Sequence, residues 1–468
     1  MSAQTASSAH GAATTPWYRL MVLLGLKNEP LMLLPEWAEQ AEESPAPGLG
    51  ASAPAAAPTL LQGQGNRFQG ELAALADPRR RKVSAAFNST QPVSSRLSLY
   101  GRDEKLATLF DTMMVGDSHA FVYGARGSGK TSLVRVFADY VDQQGAVLIY
   151  TACDPHCGFA RLIHPYCATI PDACLPLGRE RGYRDELRRL EGTITARDAV
   201  ELLAWLDPRC RIIFILDEFD RITDPEVRAE VATLMKLLSD ATVPVQLLIV
   251  GIAVNIDELL RDHASLRRHL AAVPVGRISP AAVMELIHRG AEQAGLSFDD
   301  IASELIAGIS CGSPYHVRIF CAHAGLQALR NGSGRVDVAA TLAGITQSVD
   351  EWTLLSGEDA ALFRRLTRAN ADSHAPLAHI ARTAAREDVV NVRLLRQDLG
   401  SEADRAAELL RPALVQPGED PEALFFRDSV APQFLLALFL IHQAVSEGRR
   451  SDAVRAHPDD AASRAFSP

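Results

Sequence analysis

Residues 124–131, Gly124-Ala-Arg-Gly-Ser-Gly-Lys-Thr131, match G-x-x-x-x-G-K-[ST], and what flanks them limits the fold that can hold them. The apolar run His119–Tyr123 before the loop reads as a strand. Ser132–Val141 after it reads as a helix, because Leu133, Val134, Phe137 and Val141 fall on one face at i, i+1, i+4 and i+8. Strand, glycine loop and helix in this order form the context in which such a motif binds phosphate. The glycines let backbone N–H groups turn inward toward phosphate oxygens, and the helix N-terminus adds its dipole. On this reading Gly124, Ala125, Arg126, Gly127, Ser128, Gly129, Lys130, Thr131 and Ser132 surround the phosphates. Lys130 reaches the β- and γ-phosphates, and the Thr131 hydroxyl ligates Mg²⁺.

Four more stretches read as strands: Val147–Thr151, Arg211–Leu216, Val245–Gly251 and Ala272–Ile278. They alternate with helical patterns, which predicts a parallel α/β sheet. The runs at 211–216 and 245–251 are almost wholly apolar, as central strands covered on both faces must be. The first of these ends in Asp217-Glu218, an acidic pair at a strand tip. Asp217 is placed to hold the Mg²⁺ shell, and Glu218 to orient the water that attacks the γ-phosphate. The strand pattern between the phosphate loop and this pair indicates the P-loop subclass with an inserted strand and a glutamate catalyst.

Further candidates lie downstream. Asn255, beyond the 245–251 strand, stands where a polar group senses the γ-phosphate, with an ordinary turn asparagine as the alternative. Arg267 and Arg268 in Ser265-Leu-Arg-Arg-His-Leu270 sit where an arginine can face a neighbouring subunit's nucleotide, and a solvated basic helix end explains them as well. Arg318 in Gly312-Ser-Pro-Tyr-His-Val-Arg318 opens a helix from which it can reach back to the phosphates.

The 468 residues suit several domains, and a net charge of −10 argues against bulk electrostatic binding of nucleic acid. No apolar run is long enough to span a bilayer, and the start lacks a secretory pattern. Seven cysteines are too few for a disulfide scaffold, which points to the reducing cytoplasm. Cys153, His156, Cys157, His164, Cys167 and Cys174 crowd one stretch, yet without a C-x₂-C pair they read as buried thiols rather than a zinc site. Residues 1–86 are expected to be mostly disordered, with an Ala/Pro/Gly linker at 43–66. The apolar segment 16–38 packs on the body or docks a partner protein or a membrane surface. Residues 87–279 form the α/β core, 280–350 a helical lid, 351–446 a C-terminal domain and 447–468 a disordered tail.

Together Leu99-Tyr-Gly-Arg-Asp-Glu104, the glycine loop, Ile215-Leu-Asp-Glu-Phe-Asp220, Ile249-Val-Gly-Ile-Ala-Val-Asn255, SLRRHL and GSPYHVR resemble the AAA+ ATPases. Within that class they are similar to the origin-recognition and replication-initiator branch, related to the STAND group, and the likeness covers about residues 90–345. It implies a P-loop NTPase sheet of order 5-1-4-3-2, ATP and Mg²⁺ as ligands, and an adenine pocket lined by Gly101 and Arg102. It also implies homo-oligomers in which Arg268 acts in trans. The sensor segment GSPYHVR departs from the usual initiator motif, and the doubled arginine leaves open whether Arg267 or Arg268 acts. Leu362–Ala369, Leu377–Ala384, Leu394–Leu410 and the strand Leu424–Arg427 resemble a winged helix, which implies duplex DNA or a protein as partner. The function implied is an ATP-driven switch, either DNA-associated (initiator-like or transposition-helper-like) or a STAND-type signalling ATPase.

Overall fold

The structure is a computed structural model, and it describes residues 77–93, 95–252, 264–368, 373–416 and 422–456. Segment 16–38, the linker at 43–66 and Asn255 lie outside the described residues.

The described residues begin at Asp77 and are already helical ahead of the expected start at Phe87. Asp77 accepts from the Arg79 N–H and Pro78 supplies the first turn of α1 (Pro78–Ala86). The helix is strongly basic and buries only Val83, with Phe87 following it into the core, so its composition hides it.

The α/β layer follows as α2 (Asp103–Phe110), β1 (His119–Tyr123), α3 (Lys130–Asp142), β2 (Val147–Ala152), α4 (Phe159–Thr169), α5 (Glu180–Arg189), α6 (Ala196–Leu203), β3 (Ile212–Asp217), α7 (Pro225–Asp240), β4 (Val245–Gly251) and β5 (Leu270–Pro274). The five strands run parallel in the order β2-β3-β4-β1-β5, which is the expected 5-1-4-3-2 read from the other edge. Alternate residues serve opposite faces. Val122, Ile213, Ile215 and Val250 pack with Leu133 and Phe137 of α3, whereas Phe121, Phe214, Leu216 and Ile249 pack with α4, α6 and α7. β5 starts two residues before the expected Ala272 and stops at Pro274, because it is fixed by pairing along the five residues of β1. Beyond Val275, whose N–H donates to Tyr123, the chain turns away toward the lid.

The lid comprises α8 (Pro280–Ala294), β6 (Ser297–Phe298), α9 (Asp300–Ser310), α10 (Pro314–Arg330), β7 (Arg335–Val336) and α11 (Val338–Leu355). The C-terminal part comprises α12 (Gly357–Arg368), α13 (His374–Glu387), β8 (Val390–Asn391), α14 (Val392–Leu399), α15 (Glu402–Leu410), β9 (Leu414–Val415), β10 (Ala423–Phe426) and α16 (Ala431–Ala456). Three differences from expectation stand out here. Gly400, at φ +57, splits the expected helix Leu394–Leu410 into α14 and α15. The expected boundary at residue 351 falls inside α11. α16 continues to Ala456, past the expected start of the tail at 447, because its first three turns are buried and carry the rest.

One continuous core joins lid and C-terminal part. Trp352 of α11 stacks on Phe434 of α16 with ring centroids 4.9 Å apart, and also on Phe363 of α12. His316 of α10 bridges Ser313 Oγ at 2.9 Å and the Val430 carbonyl at 3.1 Å while fully buried. No helix among the described residues is long and apolar enough to cross a membrane.

Two buried imidazoles make this fold sensitive to acid. His119 Nδ1 accepts from the Leu247 N–H at 3.0 Å, which leaves Nε2–H to donate to the Met235 carbonyl at 2.8 Å. That pairing requires the neutral ring. Burial pushes His119 down to about 4 and His316 down to about 3, so both protonate in the unfolded chain before they do in the folded one. Their contribution is complete above the unfolded value near 6.5 and is lost as pH falls toward 4. Each should cost about 1.4 kcal/mol of stability per pH unit in that window. Urea unfolding at pH 7.5 and 5.5 checks this, since His119→Asn should reduce the pH difference by about 1.4 kcal/mol.

Candidate functional site

The loop between β1 and α3 is closed by sterics that only glycine meets. Gly124 has φ +155, and a Cβ there would lie 2.2 Å from the Val275 carbonyl oxygen on the exit from β5. Gly129, at φ +94, caps α3 with open space around it. The Ser128 hydroxyl is buried without a hydrogen-bond partner, a polar group that a phosphate oxygen suits. Lys130 is drawn back over the loop, with Nζ donating to the carbonyls of Gly124 at 2.8 Å and Ala125 at 2.9 Å. Burial holds its pKa down, against the pull of Asp220 and Asp217.

At the neighbouring strand tip, Asp217 is buried and holds three donors. Its Oδ1 accepts from the Glu218 N–H at 2.8 Å. Its Oδ2 accepts from Thr131 Oγ1 at 2.9 Å and from the Tyr150 hydroxyl at 2.6 Å. Hydroxyl and carboxylate oxygens in this arrangement suit a hard divalent cation such as Mg²⁺. Tyr150, on β2, escaped the sequence reading, since only the β2–β3 pairing brings it to Asp217. Glu218 adopts the left-handed region at φ +55, and its half-exposed carboxylate pairs with Arg221 at 2.8 Å. Non-glycine residues in that region carry strain of about 1–3 kcal/mol, and they cluster at functional sites. Arg126 is exposed, 3.6 Å from Asp220, and the Ser132 hydroxyl accepts from the Val93 N–H at 3.1 Å.

Above the loop lies an open cleft, walled by Leu99, Tyr100, Ile278 and Leu286 and floored by Ser128, Gly129 and Ser132. Arg102 and Arg318 both line it, and both are buried. Arg102 is a strap as well as a wall: its Nη2 donates to the Ser128 carbonyl at 2.9 Å and to the Gly276 carbonyl. Burial, then the neighbouring Arg277, pushes its pKa down to about 10. Arg318 donates to Ser98 at 2.9 Å and Ala86 at 3.3 Å, and burial lowers its pKa too. Gly101 packs on the lid rather than lining the cleft, since a Cβ there would meet Ala282 Cβ at 2.7 Å. Arg267 and Arg268 end a 3₁₀ turn, exposed and away from this chain's own cleft. Among the described residues no group of three or more His, Cys, Asp or Glu side chains converges as a metal cluster, and burial pushes Cys153 and Cys167 up to about 12.

Residues 98–250, about a third of the chain, match the family described as AAA ATPase domain. The match takes in the glycine loop, Asp217 and Glu218. No curated protein matches the chain. Among solved structures, the Walker-type ATPase PABY2304 of Pyrococcus abyssi is 19% identical, covering 75% of this chain and 99% of its own, with a TM-score of 0.46. Aeropyrum pernix ORC1 in complex with DNA is 15% identical over 72% and 92%, with a TM-score of 0.39. Cdc6p of Pyrobaculum aerophilum is 15% identical over 77% and 98%, with a TM-score of 0.40.

The contrast between the two loop glycines is measurable. Gly124→Ala should destabilise the fold by more than about 2 kcal/mol, because the methyl drives into a carbonyl. Gly129→Ala has room and should cost only left-handed strain, about 1 kcal/mol. Equal losses in thermal or urea unfolding would contradict this account of the loop.

Proposed function

We propose that the chain is an ATP-hydrolysing molecular switch whose C-terminal module engages a protein. The observation that carries the ATPase reading is the meeting of Thr131 Oγ1 with Asp217 Oδ2 beside the half-buried Lys130, within a matched AAA ATPase domain. ATP lies with its base in the apolar cleft of Leu99, Ile278 and Leu286 and its phosphates along residues 124–132. Lys130 leaves the carbonyls of Gly124 and Ala125 for the phosphates. Thr131 and Asp217 would hold Mg²⁺, which would supply charge neutralisation on the phosphate oxygens. Glu218 releases Arg221 and orients the attacking water. Arg318 answers the phosphates from the lid, Asn255 senses the γ-phosphate, and Arg268 reaches a neighbouring copy's site in a homo-oligomer.

The order α13, β8, α14, α15, β9, β10, with an antiparallel sheet β8-β10-β9, supports the winged-helix likeness. Its chemistry supports a protein partner. α15, the helix that precedes the wing, carries Glu402, Asp404 and Glu408 against Arg405. On α14, Arg396 is already paired with Asp404 at 2.7 Å and Glu422 at 2.6 Å. A helix of this charge is repelled by phosphates, which dominate affinity for duplex DNA.

Lys130→Ala should abolish nucleotide binding, and Glu218→Gln should bind ATP but lose hydrolysis, both read by titration and phosphate release. Hydrolysis at the wild-type rate by Glu218→Gln would remove Glu218 from its role. Steady-state turnover with and without duplex DNA at two salt concentrations separates the partners. Indifference to DNA is expected, and salt-sensitive stimulation would return the chain to the DNA-associated reading.

A further inference from the structure

Arg277 is the one residue of the lid hinge whose charge the ATPase reading leaves unused. It directly follows Gly276, whose carbonyl shares the Arg102 nitrogen with Ser128 of the phosphate loop. Its side chain is 9% exposed. Nη2 donates to Asp388 Oδ1 at 2.6 Å, and both Nε and Nη1 are buried with no hydrogen-bond partner. A buried guanidinium normally fills its donor fork, and each unfilled donor carries a desolvation penalty. Two empty donors beside a phosphate loop are therefore places for an anion's oxygens.

Asp388 comes from the C-terminal part, over a hundred residues away in sequence. It caps α13 in the left-handed region at φ +65. Its carboxylate faces two cations, Arg277 by direct contact and Lys130 across space, and burial raises its pKa against the pull of both. Lys130 feels the same carboxylate. A carboxylate from another part of the chain thus binds Arg277 directly and acts on Lys130 across space.

We propose that Arg277 is a further binding residue for the nucleotide phosphates, and that Asp388 is an internal anion holding it until phosphate takes its place. The inference rests on the ATP reading above. Phosphate presents the bidentate oxygens that suit a guanidinium fork and more charge than one carboxylate. Once Arg277 turns to phosphate, Asp388 is left without its direct partner, a costly state for a half-buried carboxylate, so the turn at α13–β8 loosens. Nucleotide occupancy is thereby passed to the module that carries α14 and α15.

The test measures affinity of the full chain for ATP by calorimetry, with hydrogen exchange over residues 374–391. Asp388→Asn removes the competitor and should bind ATP about tenfold tighter, with fast exchange in this turn even without nucleotide. Asp388→Glu should behave like the wild type. Arg277→Gln should bind ATP at least tenfold more weakly, and the double variant Asp388→Asn, Arg277→Gln should be no tighter than Arg277→Gln. Should Arg277→Gln fail to fold, Arg277→Lys keeps the charge, loses the fork and should weaken binding severalfold. Unchanged or weaker binding by Asp388→Asn, or a tenfold gain that persists in the double variant, overturns the proposal. Lys130→Ala separates the two failures. If it binds ATP like the wild type, the ATP reading itself falls. If it loses binding while Asp388→Asn is unchanged, only the Arg277–Asp388 role falls.

Discussion

The close approach of the phosphate loop to the exit of β5 governs the rest of the structure. Gly124 lies under the Val275 carbonyl, and one guanidinium nitrogen of Arg102 ties Ser128 to Gly276, the next residue along the chain after Val275. This strap closes the loop before any ligand arrives and fixes where the lid begins. It also carries a cost, since burial beside Arg277 lowers the affinity of Arg102 for its own proton. The buried Ser128 carbonyl is thereby satisfied. A ligand entering the cleft meets a loop already shaped, with Lys130 parked on its carbonyls and Asp217 already held by Thr131 and Tyr150.

Lid and C-terminal part then act as one body, because they share a core rather than an interface. Trp352 lies between Phe363 and Phe434, and neutral His316 ties the start of α10 to the turn before α16. Close-packed cores transmit displacement instead of absorbing it. Displacement of α10 is therefore carried into α16 and the three-stranded sheet.

Much of the α/β layer was legible because its signals are local. The glycine loop requires a strand before it and a helix after it, and the apolar runs ending at Asp217 and Gly251 can only be central strands. Where the reading went astray, the deciding contact lay far off in sequence. The limits of β5 follow from pairing with β1, 151 residues earlier. α1 has an unpromising composition and is held by Val83 and Phe87 in a core built mainly from residues beyond 278. The helix break at Gly400 was visible as a glycine, yet the amphipathic pattern on either side runs through it.

The sequence by itself determined the phosphate loop, the acidic strand tip and the order in which strands and helices must alternate, since these depend on residue type and short-range spacing. Only the tertiary structure decided which side chains complete them. Tyr150 reaches Asp217 because β2 pairs with β3, and Arg102 serves as a strap because the chain leaving β5 passes beneath it. Arg277 and Asp388 meet because lid and C-terminal part pack as one. Such contacts arise from the cooperative choice of strand register and helix packing across the whole chain, and no local pattern of residues encodes them.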